Sequence, residues 1–308
     1  MFYMDRIRDT FSAKDTIQSC INKFGNMPEH KLHHYFYNET SSTRNAFFCF
    51  GGGKSILATL SRANVWSMVC DGVLCSRDEK ADLLLEFCSH CLNEKKGKKV
   101  VLEISDDIYY QLKGRAARSN TKFRMGKITY PSYWPVIKLQ FWDENLNGSE
   151  FYELRKIKNY FDRKNGISIM DSKQLEKRLL KDIVYEWKGK RRGKDRAFYR
   201  HYIKLIDNGF IGTDYSMSVC IEGNPSSILC GWRIPNSNCF HLAVALHNYA
   251  ANGLGEYMYL QCLNELKKAG YDEVNLGGSW DRLLLFKEKF KPHYMYRTFK
   301  FSVIKSLD

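Results

Sequence analysis

The pattern of apolar and polar positions divides the chain into short β-like runs and a few amphipathic helices. A helical segment near Asp15–Phe24 precedes three extended runs, Ala46–Phe50, Lys54–Leu60 and Val65–Cys70. Apolar residues then recur three and four apart from about Glu79 to Glu94, at Ala81, Leu84, Leu85, Cys88 and Leu92, which marks one face of a helix. Val100–Ile104 reads as a buried strand and Ser105 as the cap of a short helix through Leu112. Phe123–Tyr130 and Pro135–Trp142 are two more extended runs.

The second half opens with a helix near Ser149–Lys164, closed by Gly166 in a C-cap position. Ile167–Met170 is extended, and Ser172 caps a helix to about Trp187. A basic loop runs from Lys188 to Arg196, and the next helix, about Ala197–Asp207, stops at Gly209. Three β-runs follow, Tyr215–Ile221, Ile228–Ile234 and Phe240–His247, with turns at Asn224-Pro225 and Pro235-Asn236. The chain ends with a helix at Leu254–Ala269, a strand at Glu273–Leu276, a short helix at Arg282–Phe290 and a strand around Tyr294–Val303.

Both halves share one order: a strand meander, a long helix, a strand, a short helix and final strands. A meander before a single helical crossover argues for an α+β fold with mixed sheets and against a strictly alternating Rossmann chain. The expected organisation is two tandem domains, residues 1–145 and 146–308, with two similar sheets side by side.

Composition narrows the setting. No run of about 18 apolar residues is present, so no membrane span is expected. Met1 to Lys14 mixes charges with aromatics and does not read as a secretory leader. Several of the ten cysteines fall inside apolar runs, such as Cys49, Cys70, Cys220 and Cys262, which suits buried, reduced thiols in a cytoplasmic protein. Cys88 and Cys91 form a CxxC around His90, but Cys88 is on the helix stripe and no second ligand pair follows; structural thiols, and no metal, are expected. The net charge of +14 favours phosphate-bearing partners: tRNA or other nucleic acid, anionic lipid head groups at a membrane periphery, or phosphorylated small molecules.

Gly51-Gly52-Gly53-Lys54-Ser55 imitates the end of a P-loop, but Phe48 stands where the first glycine belongs and an extended run follows; a glycine turn between strands accounts for it. Lys190, Arg191 and Arg192, in the densest charge run, either hold phosphates or form a solvated connection. Gly253 and Gly255 open a helix after a strand, where backbone N–H groups can receive a pyrophosphate. They serve either an acyl-coenzyme A cofactor or simply a glycine-rich helix entry. Asn275-Leu276-Gly277-Gly278-Ser279 breaks a strand at two glycines and turns into a helix. The glycines let backbone approach a ligand closely, and Ser279 either caps the helix or borders an anion site. Leu283, Phe286 and Phe290 form that helix's apolar stripe, with Lys287 against it. Lys287 either snorkels or points its ammonium into a cleft, where it would stabilise an oxyanion.

At this segment the sequence resembles a known group. Asn275–Ser279, followed by Phe286-Lys287-Glu288-Lys289-Phe290 and Pro292, is similar to phosphatidylglycerol lysyltransferase C-terminal-like proteins. Glu153-Leu154-Arg155 and Trp187 extend the similarity over about Asn147 to Arg297. The motif is shared more loosely with Fem-type peptidoglycan aminoacyltransferases. The resemblance implies two tandem GNAT-like domains. It also implies transfer of an aminoacyl group from aminoacyl-tRNA to an amine or hydroxyl on a small molecule, peptide or lipid head group. It makes Phe286 and Lys287 the catalytic pair at the reacting ester. Asn275, Gly277, Gly278, Ser279 and Arg297 are then substrate-binding, with Lys190, Arg191 and Arg192 on the donor's phosphates.

Overall fold

The computed structural model describes residues 2–5, 11–37, 42–118, 123–191 and 199–306. In the first half the elements are β1 (Phe2–Asp5), α1 (Phe11–Phe24), α2 (Leu32–Tyr37), β2 (Thr43–Cys49), β3 (Ser55–Ser61), β4 (Val65–Leu74), α3 (Lys80–Ser89), β5 (Lys99–Ser105), α4 (Asp106–Arg118), β6 (Phe123–Met125) and β7 (Tyr130–Lys138). The second half supplies α5 (Tyr152–Arg163), β8 (Ile167–Met170), α6 (Lys177–Lys190), α7 (Tyr199–Asp207), β9 (Tyr215–Ile221), β10 (Asn224–Pro225), β11 (Ser227–Arg233), β12 (Cys239–His247), α8 (Leu254–Lys268), β13 (Glu273–Asn275), α9 (Asp281–Glu288) and β14 (Tyr294–Lys305).

The strands join into one mixed sheet in the order β1-β2-β3-β4-β5-β14-β7-β13-β12-β11-β9-β10, with β6 on β14 and β8 on β9. This corrects the expectation of two separate sheets. The final strand β14 pairs with β5 and β6 of the first half, and β7 pairs with β13 of the second. Each half therefore completes the other's hydrogen bonding, and an edge that would be exposed in an isolated domain is closed. Only β4–β5 and β12–β13 are parallel; each short parallel stretch follows a helical crossover, as connection geometry requires.

Alternation along the strands feeds both faces. Phe48 packs with Trp66, Phe87, Leu102 and Ile108 under α3 and α4, whereas its neighbour Phe47 joins Ile17, Tyr35 and Leu57 under α1 and α2. In the second half α5 and α8 cover Val219, Leu229, Phe240 and Leu242, while α6 and α7 cover Ile228, Cys230, Val244 and Leu246 on the opposite face. The register of β11 on β12 slips between Cys230 and Gly231, and this bulge moves the even-numbered residues of β12 from one face to the other. The ten cysteines are free thiols, eight of them buried, and burial raises Cys88 and Cys91 above the ordinary thiol range. Among the described residues no group of His, Cys, Asp and Glu could hold a metal, and no helix is long and apolar enough to cross a membrane.

Candidate active site at the end of the parallel strand pair

β12 and β13 pair in parallel over three residues only, Cys239–His241 against Glu273–Asn275. β12 continues beside β11, whereas the other chain leaves β13: Leu276 N–H donates to Pro135 O at 2.9 Å and Gly277 turns with φ +86°. The end of this pairing is where side chains of β12, β13 and α9 meet.

Lys287 is the central group. It is 4% exposed, and its Nζ donates to Gly277 O at 3.0 Å. Burial without a carboxylate partner drops its pKa from 10.5 to about 7. A Cβ on Gly277 would stand 3.2 Å from Leu242 O, 3.4 Å from Lys287 Nζ and 3.7 Å from His241 Cε1. Glycine is thus favoured twice, by its left-handed φ and by the close approach of Leu242 O. Gly278 lets the Trp134 indole approach, since a Cβ there would meet Cζ2 at 3.0 Å.

The remaining motif residues hold this turn in shape. Asn275 Oδ1 accepts from Gly277 N–H at 2.8 Å, and its Nδ2 donates to Tyr296 OH at 2.8 Å. Ser279 Oγ donates to Gly277 O at 3.1 Å, and its backbone exchanges two 2.8 Å bonds with Tyr133. Ser279 therefore does not cap α9, whose N-cap position is Trp280. Leu283 is not part of a buried stripe: it is 41% exposed, Phe286 is half-buried, and Lys287 and Phe290 face inward.

Phe286 links the turn to the glycines before α8. It packs edge-on to Tyr259 at 5.3 Å, and its Cζ is 3.6 Å from where a Cβ on Gly255 would be; His247 Nε2 is 3.2 Å from the same point. Gly253 caps α8 with φ +82° and rests against Ile157 of α5. Glu256, in the first turn of α8, is paired with Lys289 at 2.7 Å. Arg191, past the end of α6, lies over Trp187 at 5.4 Å; burial holds His247 below the usual imidazole range, with a smaller contribution from the Arg191 charge. Arg191 Nε is buried with no hydrogen-bond partner among the described residues. Lys190 is exposed, and Arg192 lies outside the described residues. Arg297 is set apart: its guanidinium donates to Asp106 of α4 at 2.9 and 3.2 Å, on the face of β14 opposite Tyr296.

The site is thus a buried lysine between two glycine turns, with aromatic rings around it. The family described as phosphatidylglycerol lysyltransferase, C-terminal, matches residues 28–301. The chain belongs to this family. It is by that membership an acyltransferase, and its fold is the tandem GNAT type. The structure of L-PGS from Bacillus licheniformis is similar with TM-score 0.66 and 16% identity over 96% of this chain and 92% of that one. FemX gives TM-score 0.64 at 9% identity over 96% and 97% of the two chains. A tandem GNAT protein from the clavulanic acid biosynthesis pathway gives TM-score 0.57 at 9% identity over 100% and 99%. A comparison with curated proteins finds no match.

Beside the lysine, this member of the family has a polar row that sequence reasoning missed. His241 is 6% exposed, its ring lies 5.3 Å from Trp232 and 6.1 Å from Trp134, and its Nδ1 has no partner among the described residues. Burial, with the His34 and Lys287 charges, lowers its pKa to about 3, so it is neutral at physiological pH. Trp134 stacks on Tyr296 at 5.7 Å and donates from Nε1 to Thr298 Oγ1 at 3.1 Å; Thr298 in turn donates to Glu103. Burial raises the Glu103 pKa despite Lys300 3.4 Å away. No local motif marks these residues, which come from five strands; the one signal is polar side chains at strand positions where the apolar alternation calls for core.

Proposed function

We propose that this chain moves an aminoacyl group from aminoacyl-tRNA to an amine or hydroxyl acceptor, with the chemistry at Lys287. The observation that carries the reading is the buried Lys287, whose Nζ donates to Gly277 O at the glycine turn that follows β13. The acceptor's nitrogen or oxygen attacks the ester carbonyl carbon, and the carbonyl electron pair moves onto oxygen. Lys287 stabilises that oxyanion in a site of low dielectric, where a donor of this kind contributes about 3–4 kcal/mol. Collapse re-forms the carbonyl and expels the ribose hydroxyl of the tRNA, which takes up the proton lost by the nucleophile. Phe286 keeps water from the ester, and holding both substrates together supplies further rate.

Arg191 supports phosphate recognition: its Nε has no hydrogen-bond partner among the described residues, and its charge is felt by His247, beside the start of α8. Acyl-coenzyme A is the second reading, through Gly253 and Gly255. It is disfavoured by the Glu256 carboxylate in the first turn of α8, where a pyrophosphate would have to lie. The family's description and the L-PGS and FemX likenesses favour an aminoacyl donor; they do not select the acceptor, for which a lipid head group, a peptide and a small molecule all fit the chemistry.

The test is to incubate the protein with a mixed pool of charged tRNA and candidate acceptors, and to follow loss of the ester by mass spectrometry. Transfer is expected in the wild type and absent in Lys287→Met. Consumption of acyl-coenzyme A with every charged tRNA left intact would overturn the reading.

A further inference from the structure

We propose that the exposed ridge of α5 is an RNA-docking surface that seats the donor's nucleic acid. The inference rests on the aminoacyl-tRNA reading above and assigns it a surface that the sequence reading did not single out.

The ridge is built by helical spacing. Tyr152, Arg155, Lys156, Tyr160, Arg163 and Lys164 line one open hollow. They recur three, four and seven to eight residues apart, so they share one side of the helix. The opposite side is the anchor: Leu154 and Phe161 are buried, Phe161 stacks on Tyr257 of α8 at 4.6 Å, and Ile157 packs on Gly253. The helix thus turns Lys156, Arg163 and two tyrosines outward, with Arg155 at the edge of the hollow and Lys164 just past the helix end.

These side chains are available. Tyr152 is 58% and Tyr160 53% exposed, a large apolar area to leave in water without a partner. Among the described residues neither Lys156 nor Arg163 has an acidic partner. The acids of α5 do not cancel the ridge, since Asp162 is taken by Lys158 at 2.9 Å and Tyr257 OH at 3.1 Å, and Glu153 does not line the hollow. Arg155 is held in place by the carbonyls of Leu146 and Gly148.

The chemistry selects nucleic acid. Guanidinium forks and ammonium groups suit phosphates, and every base has a face that can stack on tyrosine. A helix that lies on a membrane needs an exposed aliphatic face, and the ridge has none: its apolar surface is tyrosine alone. On its anchored side the same helix touches the start of α8, where Ile157 packs on Gly253 and Gly255 stands against Phe286, next to Lys287.

The test uses the full chain and a fluorescein-labelled, uncharged RNA stem–loop with a single-stranded 3′ end, read by anisotropy. Lys156→Glu with Arg163→Glu is expected to weaken binding at least about tenfold and to lower the slope of log affinity on log salt by roughly two. Tyr152→Ala with Tyr160→Ala is expected to weaken binding with the salt slope unchanged, because stacking releases no counterions. Lys98→Glu with Lys99→Glu makes the same net-charge change on the first half and is expected to leave affinity within about twofold. Equal loss in both charge-reversed proteins would mean diffuse attraction and overturn the proposal. So would loss of binding to phosphatidylglycerol–phosphatidylcholine vesicles with RNA binding retained, which would make the ridge a membrane contact. Transfer from a minimal aminoacyl ester without tRNA separates the two ideas: if it persists in wild type and ridge variants alike while RNA binding does not depend on α5, only the docking surface is wrong. If the wild type transfers nothing, the functional reading fails whatever the ridge binds.

Discussion

Lys287 is held at a cost. Its folded pKa, about 7, is below the unfolded value of 10.5, so between those pH values the unfolded chain binds the extra proton. Stability therefore rises with pH across that window, and the cost is fully present below about pH 7. The drop corresponds to about 5 kcal/mol, partly offset by the bond to Gly277 O. Lys287→Met is expected to be more stable than wild type at pH 6, by roughly 2 kcal/mol, and to lose that advantage near pH 10. Urea unfolding at the two pH values checks this, and a variant less stable at pH 6 would show that the lysine helps the fold. The rate should fall at least about a hundredfold in the same protein. Since the ammonium is the active form, wild-type transfer should decline as pH rises through about 7, while Lys287→Arg should lack that limb. Gly277→Ala is a sharper probe of space. Its Cβ meets Lys287 and Leu242 at φ +86°, so the rate should fall with a stability loss of about 1–2 kcal/mol. Full activity in that variant would show that transfer does not depend on the shape of this turn. The glycines and Lys287 could be found from sequence because they are contiguous and break local rules. His241 and Tyr296 could not, since their meaning comes from partners that only the sheet brings near.

Helix α9 shows why an element's face is hard to read. Three consecutive leucines, Leu283 to Leu285, put an apolar residue on nearly every side of a short helix, so spacing cannot choose among them. The choice is made by the Gly277 carbonyl, which draws Lys287 inward, and by the Tyr259 ring, which takes Phe290 at 5.0 Å. Leu285, 64% exposed, should tolerate glutamate within about 0.5 kcal/mol, whereas Phe290→Ala should cost about 3–5 kcal/mol. Denaturant midpoints decide it, and equal costs would mean that α9 packs otherwise. Strand β7 departs from the expected runs Phe123–Tyr130 and Pro135–Trp142. It runs unbroken from Tyr130 to Lys138 through both Pro131 and Pro135, and β13 pairs only with its last three residues. Pro131 thus stands beyond the reach of β13, where a missing N–H costs least.

At the scale of the whole molecule, the exchange of β7 and β14 joins the halves through hydrogen bonds. One cooperative unfolding transition is expected by calorimetry and by denaturant alike. Residues 146–308 expressed alone should fail to give a cooperative transition, because β13 loses β7 and β14 loses β5, β6 and β7. An independently folded fragment with wild-type dispersion would contradict this.

The sequence by itself determined the order of most helices and strands, though neither β1, α2 nor the span of β7, and that the sheet is mixed, with two glycine turns and a lysine near the end of the second half. Those features follow from periodicity and from residues whose backbone freedom or charge breaks a local pattern. The tertiary structure decided that the sheets are one, that Lys287 is buried and the leucines before it are not, and that His241, Trp134 and Tyr296 stand beside it. It also decided which cations form a surface, because α5 shows its basic side only once Phe161 has found Tyr257. Pairing partners across well over a hundred residues of chain leave no local pattern, since strand register is selected by the joint burial of both faces.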